Sequence, residues 1–172
     1  MPCREHRWPW GVFAAAACWA ALARLPLVLN AAAHLDSDLA VDGLTLLDAA
    51  RGHWRWHYPG TPFMGIPSVL LSLPQALIWG AGPETLVSGG VVAYVGLMLG
   101  VFLLAWRTFG PTVACWSLAP LAFAANGPVW LSGRITGGHL PAAAWHAGAF
   151  ALLAWSLERG GRGRALALGA WC

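Results

Sequence analysis

Long apolar runs separated by short polar segments make up most of this chain. A helix needs about 20 consecutive apolar residues to cross a lipid bilayer. Runs near that length lie at about 8–30, 85–106, 112–131 and 140–157, and a further run begins near Ala165. The pattern predicts an all-α bundle of about four complete membrane-spanning helices and the start of a fifth. Because the chain ends inside that last run, we interpret it as the N-terminal part of a longer protein.

The first apolar run has two interpretations. Arg4 and Arg7 precede it and small residues follow Asn30, which is also the pattern of a cleaved signal peptide. Further spans follow, however, and Arg24 interrupts the run. These two features favour a first helix that is retained.

Two shorter pieces between the first two runs predict helices at the membrane surface. In 38–51 the spacing defines an acidic helix face with Asp38, Asp42, Thr45 and Asp48, and an apolar face with Leu39, Leu46, Leu47 and Ala50. We expect Asp42 and Asp48 to face water and Gly52 to end the helix. The second piece, 62–80, is apolar and interrupted by prolines, which favours a surface or re-entrant helix. If it crosses the membrane instead, the orientation of every later segment inverts.

The composition supports the membrane assignment. The chain is 58% hydrophobic and 10% charged, with a mean hydropathy of +0.60, whereas soluble domains carry about 25% charged residues. A soluble core of this size cannot bury so much apolar surface. The net charge of +3 is spread along the chain and forms no patch that would bind nucleic acid.

The positions of the arginines predict the orientation, because cytoplasmic loops are enriched in them. With the N-terminus in the cytoplasm, six arginines fall on the cytoplasmic side: Arg4, Arg7, Arg107, Arg159, Arg162 and Arg164. Only Arg51, Arg55 and Arg134 then fall outside. The acidic segment after the first run is therefore expected to be extracytoplasmic.

Acidic residues at the exit of the first run are the main candidates for chemistry. Asp36 and Asp38 stand at an apolar boundary, where partial burial would raise the pKa of a carboxyl group. Such a group is suited to accept a proton from a hydroxyl. The alternative is structural: Asp36, Ser37 or Asp38 caps the surface helix, where an acid is also favoured by the helix dipole.

The outside loops supply further candidates. In "HWRWHYPG", His53 and His57 have the i, i+4 spacing of metal ligands on a helix, but the flanking Gly and Pro predict a loop and no third ligand is evident. An aromatic belt at the membrane interface is the alternative, and so is contact of Arg55 or a histidine with a lipid-linked phosphate. In "SGRITGGHLP", Arg134 could neutralise phosphate and His139 could bind substrate; the alternative is a short polar turn.

Taken in order, these segments resemble the N-terminal module of the GT-C superfamily of membrane glycosyltransferases, specifically the bacterial, polyprenyl-phosphate-sugar-dependent type that is similar to dolichyl-phosphate-mannose mannosyltransferases. The stretches "SDLAVDGLTLLDAARG", "WHYPGTPFMGIPSVL" and "LIWGAGPETL" are similar to three successive motifs of that family. The resemblance covers about 26–159. It implies a multi-pass protein of the bacterial cell membrane that moves a sugar from a polyprenyl phosphate to an extracytoplasmic lipid, polysaccharide or protein.

The resemblance also implies roles for individual residues. Asp38 aligns with the first acid of the family's motif, which acts as the base or orients the acceptor. Leu39 stands where the family has a second acid, so Asp36 becomes the second catalytic candidate. The candidates for binding the lipid phosphate or the substrate are Arg134, His139, Arg55, His57 and Tyr58. Some relatives place a metal-binding Asp in the second outside loop, and its absence here leaves a requirement for Mg²⁺ or Mn²⁺ open; no other cofactor is implied.

Two other classes of protein compete with an enzyme. The chain could belong to a non-enzymatic polytopic protein, such as a transporter or an assembly subunit, or it could be an inactive fragment. Transporters place charges within their spans more often, and here only Arg24 and His146 lie inside predicted spans. This favours chemistry at the membrane surface. We then expect Asp36 and Asp38 to lie at the outer end of the first span, beside the loop that carries Arg134.

Overall fold

The computed structural model describes residues 8–124, 126–133, 138–159 and Gly169. These residues are almost entirely helical and include one small β-hairpin. The elements are α1 (Trp8–Leu29), a 3₁₀ helix (Ala31–His34), α2 (Ser37–Ala50), β1 (His57–Tyr58), β2 (Thr61–Gly65), α3 (Pro67–Trp79), α4 (Pro83–Phe109), α5 (Pro111–Ser117), α6 (Ala119–Ala122), α7 (Asn126–Gly133) and α8 (His139–Arg159).

Within the described residues, three helices are long and apolar enough to cross a membrane. They are α1, α4 and the His139–Leu157 part of α8. They match the predicted runs at 8–30, 85–106 and 140–157. The general prediction of a helical architecture compatible with a multi-pass membrane protein is therefore confirmed.

The single helix predicted over 112–131 is absent, and this part of the prediction was wrong. The segment forms the three short helices α5, α6 and α7, of which the longest has 8 residues. Pro120 explains the first break, because proline lacks the N–H that would continue the ladder and its ring clashes with the carbonyl four residues earlier. Gly127 and Pro128 stand in the first turn of α7, where a new helix tolerates them. The fifth run, from Ala165, lies outside the described residues.

Helix α2 matches the first predicted surface helix, but the second surface helix begins later than predicted. Gly52, with φ +86°, follows the C-cap of α2 as expected. Residues 61–65 pair as β2 with the antiparallel strand β1, so α3 begins only at Pro67. The two strands are joined through Pro59 and Gly60, and Gly60 has the positive φ, +84°, that the third position of a type II turn requires.

One compact unit of the fold contains residues 8–21, 95–124 and 143–159. In this unit α4 and α8 approach each other closely. A Cβ atom added to Gly100 would lie 2.7 Å from the Cβ of Ala147, and one added to Gly96 would lie 3.7 Å from that of Ala144. The stretch "GLMLG" thus supplies the small residues at i and i+4 that allow two helix backbones to pack closely in a membrane.

The second compact unit, with residues 22–94, 126–133 and 138–142, contains α2, the β-hairpin and α3. Its apolar core joins α2, α3 and α4 through Leu39, Leu46, Ile66, Val69, Ala76 and Leu86. The hydroxyl of Ser72 on α3 lies 2.9 Å from the carbonyl oxygen of Leu86 on α4. A side chain at position 89 would collide with Ser72. Because Gly89 has none, α3 lies directly against α4.

Candidate functional site

Asp36 caps the N-terminus of α2. It has extended backbone angles, and its Oδ1 accepts the backbone N–H of Leu39 at 2.9 Å. This bond satisfies one of the N–H groups that a first helical turn leaves without a partner. Of the three residues considered for the cap, the structure therefore selects Asp36. Asp38 lies in the first turn of α2 and is exposed.

A cavity of about 320 Å³ opens where α1 ends, and we call it the α1-end cavity. Among the described residues of its walls are two titratable side chains, those of His34 and Asp36, together with the indole of Trp130. Leu27, Val87 and Gly133 are among the other residues that line it. Gly133 is the last described residue before the loop that was expected beside Asp36. Arg134 itself lies outside the described residues.

Asp42 is fully buried, and the prediction that it faces water was wrong. One face of α2 is formed by residues spaced at i, i+3, i+7 and i+10, namely Leu39, Asp42, Leu46 and Ala49. This face packs on α3. Asp42 thus occupies an apolar position of the helix. This spacing was the signal in the sequence that could have revealed its burial.

The carboxyl group of Asp42 has an unusual electrostatic environment. No hydrogen-bond donor in the described part of the chain reaches either of its oxygens in bonding geometry. Burial raises the pKa of Asp42 from 3.8 to about 6; the nearby hydroxyl of Ser68 opposes the rise and the charge of Asp38 adds to it. Asp42 can therefore exchange a proton near neutral pH.

Tyr58 connects the β-hairpin to the acidic end of α2. Its hydroxyl donates a hydrogen bond to the backbone oxygen of Asp38 at 3.3 Å. Burial, followed by the charges of Asp42 and Asp38, raises the pKa of Tyr58. The structure thus brings together Asp38 and Tyr58, two of the residues selected from the sequence, and adds Asp42 to them.

The other predicted binding residues do not gather around the α1-end cavity. Arg55 forms an ion pair with Asp48 at 3.4 Å, with both side chains substantially exposed. His57 on β1 and His139 at the start of α8 are exposed, and neither lines the cavity. Among the described residues, no three His, Cys, Asp or Glu side chains form a group that could hold a metal ion.

Arg24 is buried inside α1, and the structure shows what surrounds it. Its Nε–H donates to the hydroxyl of Ser132 at 2.8 Å, and its guanidinium carbon lies 3.6 Å from the centre of the Tyr94 ring. An arginine in an apolar helix is stable only with such contacts. The interruption of the first apolar run is therefore explained by packing within the second unit.

Comparison of the chain with models of protein families, with curated proteins and with solved structures finds no match. Any function assigned to the chain therefore rests on its own residues and on the cavities they form.

Proposed function

We propose that the chain belongs to a membrane glycosyltransferase that moves a sugar from a polyprenyl phosphate to an acceptor outside the bacterial cell membrane. The observation that carries this proposal is the α1-end cavity. It brings a partly buried carboxylate, Asp36, and an imidazole, His34, to the end of an apolar helix long enough to span a bilayer. A lipid-linked donor presents its sugar at that depth of the membrane.

We propose the same topology that the arginines predict, with an interrupted third crossing. Helices α5, α6 and α7 together then lead the chain from the cytoplasm to the outside, although no one of them is long enough to do so alone. A broken helix is tolerated at membrane depth where its backbone is buried in protein or lines a cavity. The N-terminus is then cytoplasmic, and α2, α3 and the hairpin lie outside.

In the proposed reaction, the acceptor hydroxyl attacks the anomeric carbon of the sugar while the bond to the lipid phosphate breaks. A carboxylate accepts the hydroxyl proton, and the phosphate leaves on the lipid. Asp36 is the stronger candidate for the base, because it lines the cavity whereas Asp38 is exposed. Arg134, which follows a residue of the cavity wall, is the candidate that neutralises the leaving phosphate.

Transfer of labelled sugar from polyprenyl phosphates tests the proposal in membranes that contain the full-length protein. Asp36→Asn is the decisive variant, since asparagine caps a helix as well as aspartate does but cannot act as a base. We expect it to lower the rate by a factor of about 10² or more, as loss of a general base does. Asp48→Asn is the matched control on the same helix, and it should leave the rate unchanged.

The same assay separates the alternatives. Undiminished transfer by Asp36→Asn together with a loss in Asp38→Asn would return the base role to Asp38. A rate that falls in EDTA and recovers with Mg²⁺ or Mn²⁺ would establish a need for a divalent cation. Membranes that contain the protein but transfer no sugar from any donor, beyond the level of membranes without it, would point to a non-enzymatic protein.

A further inference from the structure

The α1-end cavity combines side chains of three different kinds in a small volume. The carboxylate of Asp36 and the imidazole of His34 provide hydrogen-bonding groups, and the indole of Trp130 provides a flat aromatic face. Leu27 and Val87 add aliphatic surface. At about 320 Å³ the cavity is at the lower end of the range for small-molecule sites, about 300–1,000 Å³. A ligand that matches these walls would be small, with one apolar face and a polar edge.

We propose that this cavity binds the ring of a neutral sugar, with one face of the ring stacked on Trp130 and hydroxyl groups bonded to Asp36 and His34. A pyranose ring presents C–H groups on its faces and hydroxyl groups at its edge, which matches the two kinds of wall. A carboxylate can accept several hydrogen bonds at once, so capping α2 and accepting from a sugar hydroxyl are compatible. The imidazole ring of His34 offers two nitrogens for hydrogen bonds to hydroxyl groups.

The described walls favour a neutral sugar over other ligands. The charge of Asp36 repels a phosphate, so the phosphate of a lipid donor fits better outside these walls. A quaternary ammonium group is held by several aromatic rings around the cation, whereas Trp130 is the one Trp, Tyr or Phe among the described residues of the lining. A lipid chain would leave the polar groups of Asp36 and His34 facing hydrocarbon, which is costly.

The assignment of this sugar to a transferase reaction rests on the proposed function, but binding can be measured without transfer. The full-length protein in lipid nanodiscs is titrated with methyl pyranosides of a hexose and a pentose, and saturation-transfer NMR detects the bound ring. Trp130→Ala removes the aromatic face, and Trp130→Phe retains a smaller one. Trp145→Ala is the matched control, because Trp145 and Trp130 are both 53% exposed and Trp145 does not line the cavity.

We expect at least one pyranoside to bind, and Trp130→Ala to weaken it about tenfold or more, as loss of one stacked ring does for nucleic acid bases. Trp130→Phe should lie in between, Trp145→Ala should match the unaltered protein, and His34→Ala should change the preference among the pyranosides. Binding that is equal in Trp130→Ala and Trp145→Ala would overturn the proposal. Binding of choline but of no pyranoside would do the same.

The two proposals fail in different ways. If Trp130-dependent binding is present and sugar transfer is absent, the sugar site stands and the transferase function does not. If transfer depends on Asp36 but neither binding nor the KM for the sugar donor responds to Trp130→Ala, the transferase stands and the sugar site does not.

Discussion

Among the described residues of the second unit, two ionisable side chains are buried, and their surroundings differ. Arg24 on α1 is 1% exposed, and Asp42 on α2 is 0% exposed. Arg24 contacts the hydroxyl of Ser132 and the ring of Tyr94. The oxygens of Asp42 have no hydrogen bond from the described residues. The same unit therefore holds one buried charged group with a hydrogen bond and an aromatic contact, and one whose burial is opposed only in part by the nearby hydroxyl of Ser68.

The difference shows two ways in which a fold can contain an ionisable group in its interior. A buried charge is costly unless it is paired or hydrogen-bonded. The hydroxyl of Ser132 and the π face of Tyr94 offset part of this cost for Arg24. Asp42 can instead lose its charge, because its pKa lies near 6 and a proton neutralises it just below neutral pH. Stability in the Arg24 region then depends on contacts, and stability in the Asp42 region depends on pH.

The largest effect is expected at Arg24. Arg24→Ala removes the guanidinium from Ser132 and Tyr94 and leaves a void, so the free energy of unfolding should fall by about 4 kcal/mol. Denaturant titration of the protein in detergent micelles measures the change. Arg24→Met is the control, because it fills much of the volume without a charge. A loss in Arg24→Met as large as that in Arg24→Ala would show that the polar contacts, and not the volume, carry the stability.

A smaller effect with a defined pH dependence is expected at Asp42. Folding raises its pKa from 3.8 to about 6, so the folded state binds the proton more tightly. The unfolding free energy is then highest below pH 4 and falls as the pH rises through 6, by about 3 kcal/mol in total. Unfolding of the detergent-solubilised protein, followed at several pH values, should show this fall.

The matched variants for that measurement lie on the same helix. Asp42→Asn cannot ionise, so it should lose the pH-dependent fall and be more stable than the unaltered protein above pH 6. Asp48→Asn should retain the fall, because Asp48 is partly exposed. A fall that persists in Asp42→Asn would assign the proton to another group and would remove the contrast with Arg24.

The smallest effect is expected at the exposed ion pair between Arg55 and Asp48. Exposed pairs contribute about 0–1 kcal/mol. The atoms of this pair are 3.4 Å apart, with Arg55 exposed and Asp48 partly exposed, which places the pair at the low end. Arg55→Gln should therefore change the unfolding free energy by less than about 0.5 kcal/mol at moderate salt. A double-mutant cycle with Asp48→Asn measures the coupling. A coupling above about 1 kcal/mol would show that an exposed pair is as important here as the buried groups.

The three long apolar helices were predictable, because their determinant is local. A run of apolar residues of sufficient length must be helical in a bilayer, where every backbone polar group needs an internal partner. This reasoning located α1, α4 and α8 to within a few residues, and Gly52 correctly marked the end of α2. The same reasoning failed over 112–131, because the apolar count took no account of Pro120.

The site was predictable only in part. The position of Asp36 at a helix start was recognisable from the residue types that follow the first run, and Asp36 is indeed the cap of α2. The sequence analysis did not identify His34 and Trp130 as residues that share a cavity with Asp36. No pattern in the sequence indicates that residues 34 and 130 lie close together. The prediction that Asp42 is exposed failed because it assumed that every acidic residue of α2 lies on the face in contact with water.

What the sequence determined by itself is the class of the chain: an apolar, helical protein whose longest helices suit a membrane and whose acids follow the first of them. Only the tertiary structure decided which polar groups meet. Ser132 lies 108 positions from Arg24 and still binds it, and Asp42 is buried because α3 packs over its face of α2. Run length and composition are properties of a local segment, whereas a side chain's partner and burial depend on which distant segments pack against it.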